Sequence, residues 1–414
     1  MSLSRRTTLA GIGMAPWLAR AAGAAPRSVD RSTIDAVLRE ACDRGEVAGL
    51  VAMATTTDDL LYDGTFGTAD LATGQPMRSD TIFRLASFTK AITSVAAMQL
   101  VEQGRLSLDA PVGDHLPHLS TPKVLDHFAP DGSPVLRPAG GPITLRHLLS
   151  HSAGYSYEFW NADYSRLCSA LGLAALPRNH DELARLPLMF DPGTDWSYGI
   201  NTDIVGYLIE AATGTDLGTY LRTHVTAPLG MVDTTWDLTE TQKARVAGMH
   251  QRLDDGTLAP ANRPPPSDPG FLAGGGGLLG TAGDYIRFLR MLLNNGILDG
   301  VRLLQANTVT ALERNQLGTI SVPPMLTAMP TLTFDTDFFP GIEKKWTLAF
   351  LSNTQAGPNG RSAGSLALAG IMNTYFWLDP IQGVAGVLLT QSLPFADPIA
   401  LNLLETFERG VYGL

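Results

Sequence analysis

Apolar positions recur with a helical period from Arg31 to Arg44 and then crowd into two short runs, Gly49–Thr55 and Leu60–Gly67, parted by the polar turn Thr57-Asp58-Asp59. A helix followed by two strands is the order this predicts. Helical signals then dominate: Ala91–Gln103 is rich in Ala, Val, Met and Leu and stops at Gly104, as a glycine past a helix end predicts. Further helices are expected near Leu145–Ser150, Thr202–Ala212, Leu217–Val225 and Ala282–Asn294. Past about Thr331 strand-like stretches return at Trp346–Leu351, Ser365–Leu378 and Gly383–Thr390, ahead of a last helix at Pro398–Gly410. Strands at both ends of a helical middle predict an α+β core whose sheet closes late around a helical insertion, not two domains in succession. Residues 28–414 thus read as one domain, with an α/β part at about 28–86 and 331–414 and a mainly helical part at about 87–330. There is no internal repeat, and low complexity is limited to Gly274–Gly277 and Pro264–Pro266.

Composition narrows the partners. With 414 residues, 44% of them hydrophobic, the chain can bury a sizeable core. Its net charge is −10 and it has no Lys/Arg block, which argues against nucleic acid or anionic lipid as partner. No run of about 18 apolar residues occurs, so no stable membrane insertion is expected. Arg5-Arg6, the apolar run Leu9–Ala19 and Ala22-Gly23-Ala24 have the layout of an export signal over residues 1–24, and the paired arginines resemble the twin-arginine type. Its removal would take three arginines and no acid, moving the charge to −13, and predicts a periplasmic or secreted protein. Cys42 and Cys168 make neither a disulfide framework nor a zinc ribbon and read as small buried hydrophobes, with one bridge left open.

Two serines compete as nucleophile. Ser87-Phe88-Thr89-Lys90 opens the helix that runs to Gln103, and residues three apart share a helix face, so the Lys90 amine can reach the Ser87 hydroxyl. The helix start adds positive potential and backbone N–H groups for a developing oxyanion. A serine needs such a neighbouring base before it attacks. Gly360-Arg361-Ser362-Ala363-Gly364 formally matches the G-x-S-x-G elbow, but that motif needs a strand before it, a helix after it and a later histidine. The last histidine is His250, so Ser362 reads as part of a Gly/Ser turn.

Ser87-x-x-Lys90 has company. Leu148-Leu149-Ser150-His151-Ser152-Ala153-Gly154, Pro192-Gly193-Thr194-Asp195-Trp196-Ser197-Tyr198, Gly275-Gly276-Gly277-Leu278 with Thr281-Ala282-Gly283-Asp284-Tyr285, and Leu368-Ala369-Gly370 through Asn373-Thr374-Tyr375-Phe376-Trp377-Leu378-Asp379-Pro380 follow in order. Together, over about Glu46 to Leu393, they resemble the serine hydrolases related to class C β-lactamases, and within them the family VIII carboxylesterases. The resemblance implies a β-lactamase/penicillin-binding-protein-like fold with a central antiparallel sheet and flanking helices. It also implies Ser87 as acylated nucleophile, Lys90 and Tyr198 as coupled base, and the N–H groups of Ser87 and Ile371 as oxyanion donors, with no cofactor.

Departures from the lactamase pattern steer the substrate expectation. Isoleucine, at 200, stands where those enzymes keep an asparagine, Asn201 comes one residue later, and Leu368 replaces the cation of their K-T-G. A leucine cannot pair with a carboxylate, so a small, neutral, fairly apolar ester is expected, selected by pocket shape. Phe159, Trp160, Phe271, Leu368 and Gly370 are the candidate pocket residues, with Tyr155 and Tyr157 as further aromatic candidates. His151 reads as structural, and His115 and His118 lack the acids or cysteines that would complete a metal site, so no metal is expected. Gly274–Gly277 lacks the Lys-Ser/Thr of a phosphate loop and reads as close backbone packing or a turn. The competing readings are a β-lactamase, a D-amino-acid peptidase or amidase, or an acyltransferase on the same fold, and beyond enzymes a non-catalytic binding module.

Overall fold

One antiparallel sheet of eight strands organises the protein, whose computed structural model describes residues 28–261 and 271–414. The expected export signal and Pro264–Pro266 lie outside the described residues. In chain order the strands are β1 (Gly49–Thr56), β2 (Leu60–Asp70), β3 (Gln75–Pro76), β4 (Lys344–Trp346), β5 (Leu351–Asn353), β6 (Leu366–Gly370), β7 (Thr374–Asp379) and β8 (Val384–Leu389), arranged β4-β5-β6-β7-β8-β1-β2-β3. The central joint pairs β1 with β8, Val51 opposite Leu389, so the sheet closes late, as its scattered strand signals predict.

Five helices frame it: α1 (Arg31–Asp43), α2 (Thr89–Glu102), α3 (Asn201–Thr213), α4 (Ala282–Leu293) and α5 (Pro398–Tyr412). The alternation along β1 assigns the layers. Leu50, Ala52 and Ala54 join the core formed with Ile34 and Leu38 of α1 and Phe407 of α5. Val51 and Met53 join the opposite core, with Phe288 and Leu292 of α4 and most of α2. With both faces covered, β1 is apolar along nearly its whole length. α2 is buried from Thr89 to Leu100, which explains why it lacks a polar face. Asp30 starts α1 by accepting from Thr33 N–H, and left-handed Gly413 ends α5.

Two expected strands are broken. Trp346–Leu351 is the end of β4, a tight turn and the start of β5, with Thr347 Oγ1 accepting from the N–H groups of Ala349 and Phe350. Ser365–Leu378 contains both β6 and β7, joined at Ile371–Asn373, where Asn373 has φ +56°. Asn373 is buried with its amide spent on Ser392 O and Pro394 O, and the two other residues of the turn, Ile371 and Met372, are apolar. Such a turn gives none of the usual Gly/Pro/polar warning. The expected helix at Leu217–Val225 ends as α-helix at Leu221 and continues as one π turn.

Candidate active site

Ser87 sits in a 3₁₀ turn, Ala86–Phe88, one step ahead of α2 and not in its first α-helical turn. Ala86 before it has φ +48°, a left-handed conformation that costs a residue with a side chain about 1–2 kcal/mol. Its carbonyl is held by Thr89 Oγ1 at 2.7 Å, and the same oxygen accepts from Leu278 N–H at 3.3 Å. Gly370 of β6 lies against this turn: a methyl group there would stand 2.6 Å from Leu85 O and 3.2 Å from Ala86 Cβ. Only glycine lets the strand come so close.

The Lys90 Nζ is 3.1 Å from Ser87 Oγ, 2.9 Å from Tyr157 Oη and 2.7 Å from Gly275 O. Lys90 is 1% exposed, and loss of hydration lowers its pKa from 10.5 to about 8, against the opposing pull of Asp203. Asp203, buried in the first turn of α3, is raised chiefly by burial, and its Oδ1 accepts from Gly275 N–H at 2.8 Å. A neutral amine has two N–H donors and one lone pair. Gly275 O and Tyr157 Oη take the donors, which leaves the lone pair for the Ser87 hydroxyl.

Tyr198 completes the group from the other side. Lys90 Nζ lies 4.9 Å from its ring centre, and Ser87 is close enough to oppose the strong upward shift that burial imposes on the phenol. The Tyr198 hydroxyl has no hydrogen-bond partner of ordinary geometry among the described residues. Its ring is wedged against His151 at 4.7 Å and Trp346 at 5.6 Å between centroids. His151, expected to be structural, is buried, at φ +57°, and held neutral by burial and by Lys90. Its Nδ1 accepts from Gly199 N–H at 3.3 Å and Asn201 Nδ2 at 3.0 Å, which fixes the Tyr198 loop. Asn201 is therefore fully buried under the loop, away from the substrate side.

A cavity of about 410 Å³ opens over Ser87. Of the candidate pocket residues, Phe159, Trp160 and Leu368 line it, and so do Ile371, Trp346 and Gly275–Gly277. Two do not: Phe271 packs against His180, with ring centres 5.4 Å apart, and Gly370 is turned onto the Leu85–Ala86 backbone. The glycine run works as close packing, since a methyl on Gly274 would meet Thr202 O at 2.5 Å. Tyr155 is buried without a place in the cavity wall. Ser362 stands in the β5–β6 loop, followed by a strand and not a helix; its Oγ accepts from Gln382 Nε2 at 3.2 Å and its N–H donates to Asp379. Cys42 is only half-buried, contrary to expectation, and Cys168 is buried; neither is bridged. His118 stacks on Tyr207, and among the described residues no three His, Cys, Asp or Glu side chains converge.

Two groups at the centre of this arrangement, Tyr157, which also lines the cavity as a candidate aromatic, and Asp203, carry no sequence signal of their contact with Lys90. Tyr157 was one aromatic among several, and nothing local separates a hydroxyl that meets a lysine 67 positions away from one that does not. Asp203 gave no signal beyond lying five residues after Tyr198.

A serine 3.1 Å from a buried amine three residues on, beside a phenol and under a β-strand, is the geometry the sequence resemblance implies, and the family comparison agrees: residues 34–406 match the Beta-lactamase family model, so the protein belongs to that family. Within it, the chain is 32% identical to the monacolin J acid methylbutanoyltransferase of Aspergillus terreus, covering 92% of this chain and 95% of that one. It is 31% identical to esterase EstB of Burkholderia gladioli, covering 87% and 90%. The unliganded simvastatin synthase structure from Aspergillus terreus superposes with a TM-score of 0.77 at 30% identity, covering 93% and 98%. A family VIII carboxylesterase shares the fold, with a TM-score of 0.62 at 20% identity over 92% and 97% of the two chains. By their names, the first of these relatives is an acyltransferase and the second an esterase.

Proposed function

We propose that the protein hydrolyses carboxylic esters through an acyl-enzyme on Ser87. The observation that carries the reading is the buried Lys90 amine, brought to a pKa of about 8 and 3.1 Å from the Ser87 hydroxyl. Lys90 takes the Ser87 proton as Oγ bonds to the substrate carbonyl carbon. The N–H groups of Ser87 and Ile371 receive the oxyanion. Collapse breaks the bond to the alcohol, which leaves with a proton delivered through Lys90 and the neutral Tyr198 phenol. Water then attacks the acyl carbon, giving its proton to Lys90, and Ser87 leaves with one as the acid departs.

The apolar wall around Leu368 and the burial of Asn201 support a neutral ester over a β-lactam, whose carboxylate would find no cation at position 368. Acyl transfer to an alcohol is a second reading, supported by the transferase among the relatives and by a mostly apolar cavity in which an alcohol competes well with water. Export from the cytoplasm, supported by Arg5-Arg6 and the apolar run after it, is part of the proposal.

The test compares p-nitrophenyl butyrate with a chromogenic cephalosporin, using wild type, Ser87→Ala and Ser362→Ala. Ester turnover is expected to fall by at least about a thousandfold in Ser87→Ala and to persist in Ser362→Ala. Loss confined to Ser362→Ala overturns the assignment, and faster cephalosporin than ester cleavage makes the protein a lactamase instead. Added alcohol that diverts the acyl group into a new ester identifies the transferase.

A further inference from the structure

The cavity is longer than the reacting atoms need. Its wall beside the nucleophile is Tyr157, whose Oη stands 2.9 Å from the Lys90 amine. From there the wall continues as a row of rings: Phe159 lies 4.9 Å from Tyr157 between centroids, Trp160 5.9 Å from Phe159, and Phe395 6.2 Å from Trp160. Phe338 closes the far end, 6.4 Å from both Phe395 and Tyr375. Each of these rings lines the cavity that opens over Ser87. The first gap alone matches a four-carbon chain, at an advance of ~1.3 Å per C–C bond of ~1.5 Å. The gaps beyond Phe159 are surplus to a butyryl group and give room to a chain of roughly eight to ten carbons.

The floor of this row is β6. Its pairing with β5 stops at Ala367, so one edge of the strand is uncovered from Leu368 onward. Leu368 meets the cavity from the face that carries the α2 core, while Ala367 and Ala369 meet it from the opposite face, beside Trp160 and Phe338. Both alanines are partly exposed although β6 lies third from the edge of an eight-stranded sheet. Small side chains there leave the space under the far rings open, and a large one would fill it. Trp160, Phe338 and Ile371 are likewise only partly buried. A hydrocarbon laid on this floor leaves water on every side, so each methylene that reaches it should raise kcat/KM about two- to fourfold. A charged arm would lose its hydration against rings and alanines without gaining a partner.

We propose that this row of rings, floored by Ala367 and Ala369, is a binding subsite for a long uncharged hydrocarbon arm of the substrate, roughly eight to ten carbons in length. The subsite deepens the ester-hydrolase reading, on which it rests for the reacting end, while the row itself is a binding site.

Acyl and alcohol arms present the same chemistry, so both are tested. In wild type kcat/KM should climb through p-nitrophenyl butyrate, hexanoate and octanoate if the acyl arm enters the row, or through the acetates of butan-1-ol, hexan-1-ol and octan-1-ol if the alcohol arm does. The climb from the four- to the eight-carbon arm should be at least about tenfold. Ala369→Trp fills the floor and should bring that ratio close to one; read within one protein, the ratio is insensitive to a general loss of activity. A flat profile in both wild-type series, or a climb that survives Ala369→Trp, overturns the subsite. Should Ala369→Trp not fold, Phe338→Ala decides: opening the far end should move the preferred arm to a greater length, and an unchanged preference overturns the subsite. If wild type cleaves no ester, the hydrolase reading fails separately, and calorimetric titration decides. Octan-1-ol binding at least about tenfold tighter than butan-1-ol supports the subsite, and equal Kd values overturn it.

Discussion

Lys90 and Tyr198 are moved in opposite senses by the same burial, since loss of hydration penalises the ammonium of one and the phenolate of the other. The amine is thus the member of the pair that changes charge near neutrality. As the base it must be unprotonated, so kcat/KM should rise with pH, pass its midpoint near 8 and level off above it. A profile measured from pH 6 to 10 that is flat or falls through 8 would remove Lys90 from the base position. At this scale the approach of Lys90 to Ser87 was legible because their spacing is local, and the nearness of the Tyr198 ring because it lies in a longer pattern. Tyr157, Asp203 and the Gly275 carbonyl were not, for they meet Lys90 only after segments 67 to 185 residues away have packed.

At the level of elements, the site is the meeting of the Ala86–Phe88 turn with β6, and Gly370 sets how close they come. Gly370→Ala puts a methyl 2.6 Å from Leu85 O and 2.3 Å from Thr374 Oγ1. It should cost about 1–3 kcal/mol in stability and lower kcat more than the loss of folded protein explains, as seen by denaturant melts beside turnover. An unchanged kcat would mean that the turn's position does not depend on the strand. Most of the longer helices were legible from their apolar patterning, and α2 also from its stop at Gly104. The β4–β5 and β6–β7 breaks were hidden, because apolar neighbours surround Thr347 and Asn373, the residues that make the turns.

For the whole molecule, both ends of the described chain serve one sheet, and Arg361–Glu408 and Arg252–Asp397 tie α5 and the loop before it to the rest. Ending the chain after Asp379 removes β8 and α5 and leaves β1 without its partner of the Val51–Leu389 register. The product should be insoluble or, by circular dichroism, lack a cooperative melt; a soluble, cooperatively melting fragment would show that the two parts fold apart. The sheet's late closure was legible from the order of its strands, whereas the packing of α2 between its neighbours was not, since a helix buried on every side has no periodicity to read.

That β1–β8 joint also sets a schedule. The segment bearing Ser87 leaves the ribosome some three hundred residues before β8, so the sheet that brings Gly370 against its turn stays incomplete until the chain is nearly finished. On the ester-hydrolase reading, a ribosome-bound chain truncated before β8 should therefore show no ester turnover.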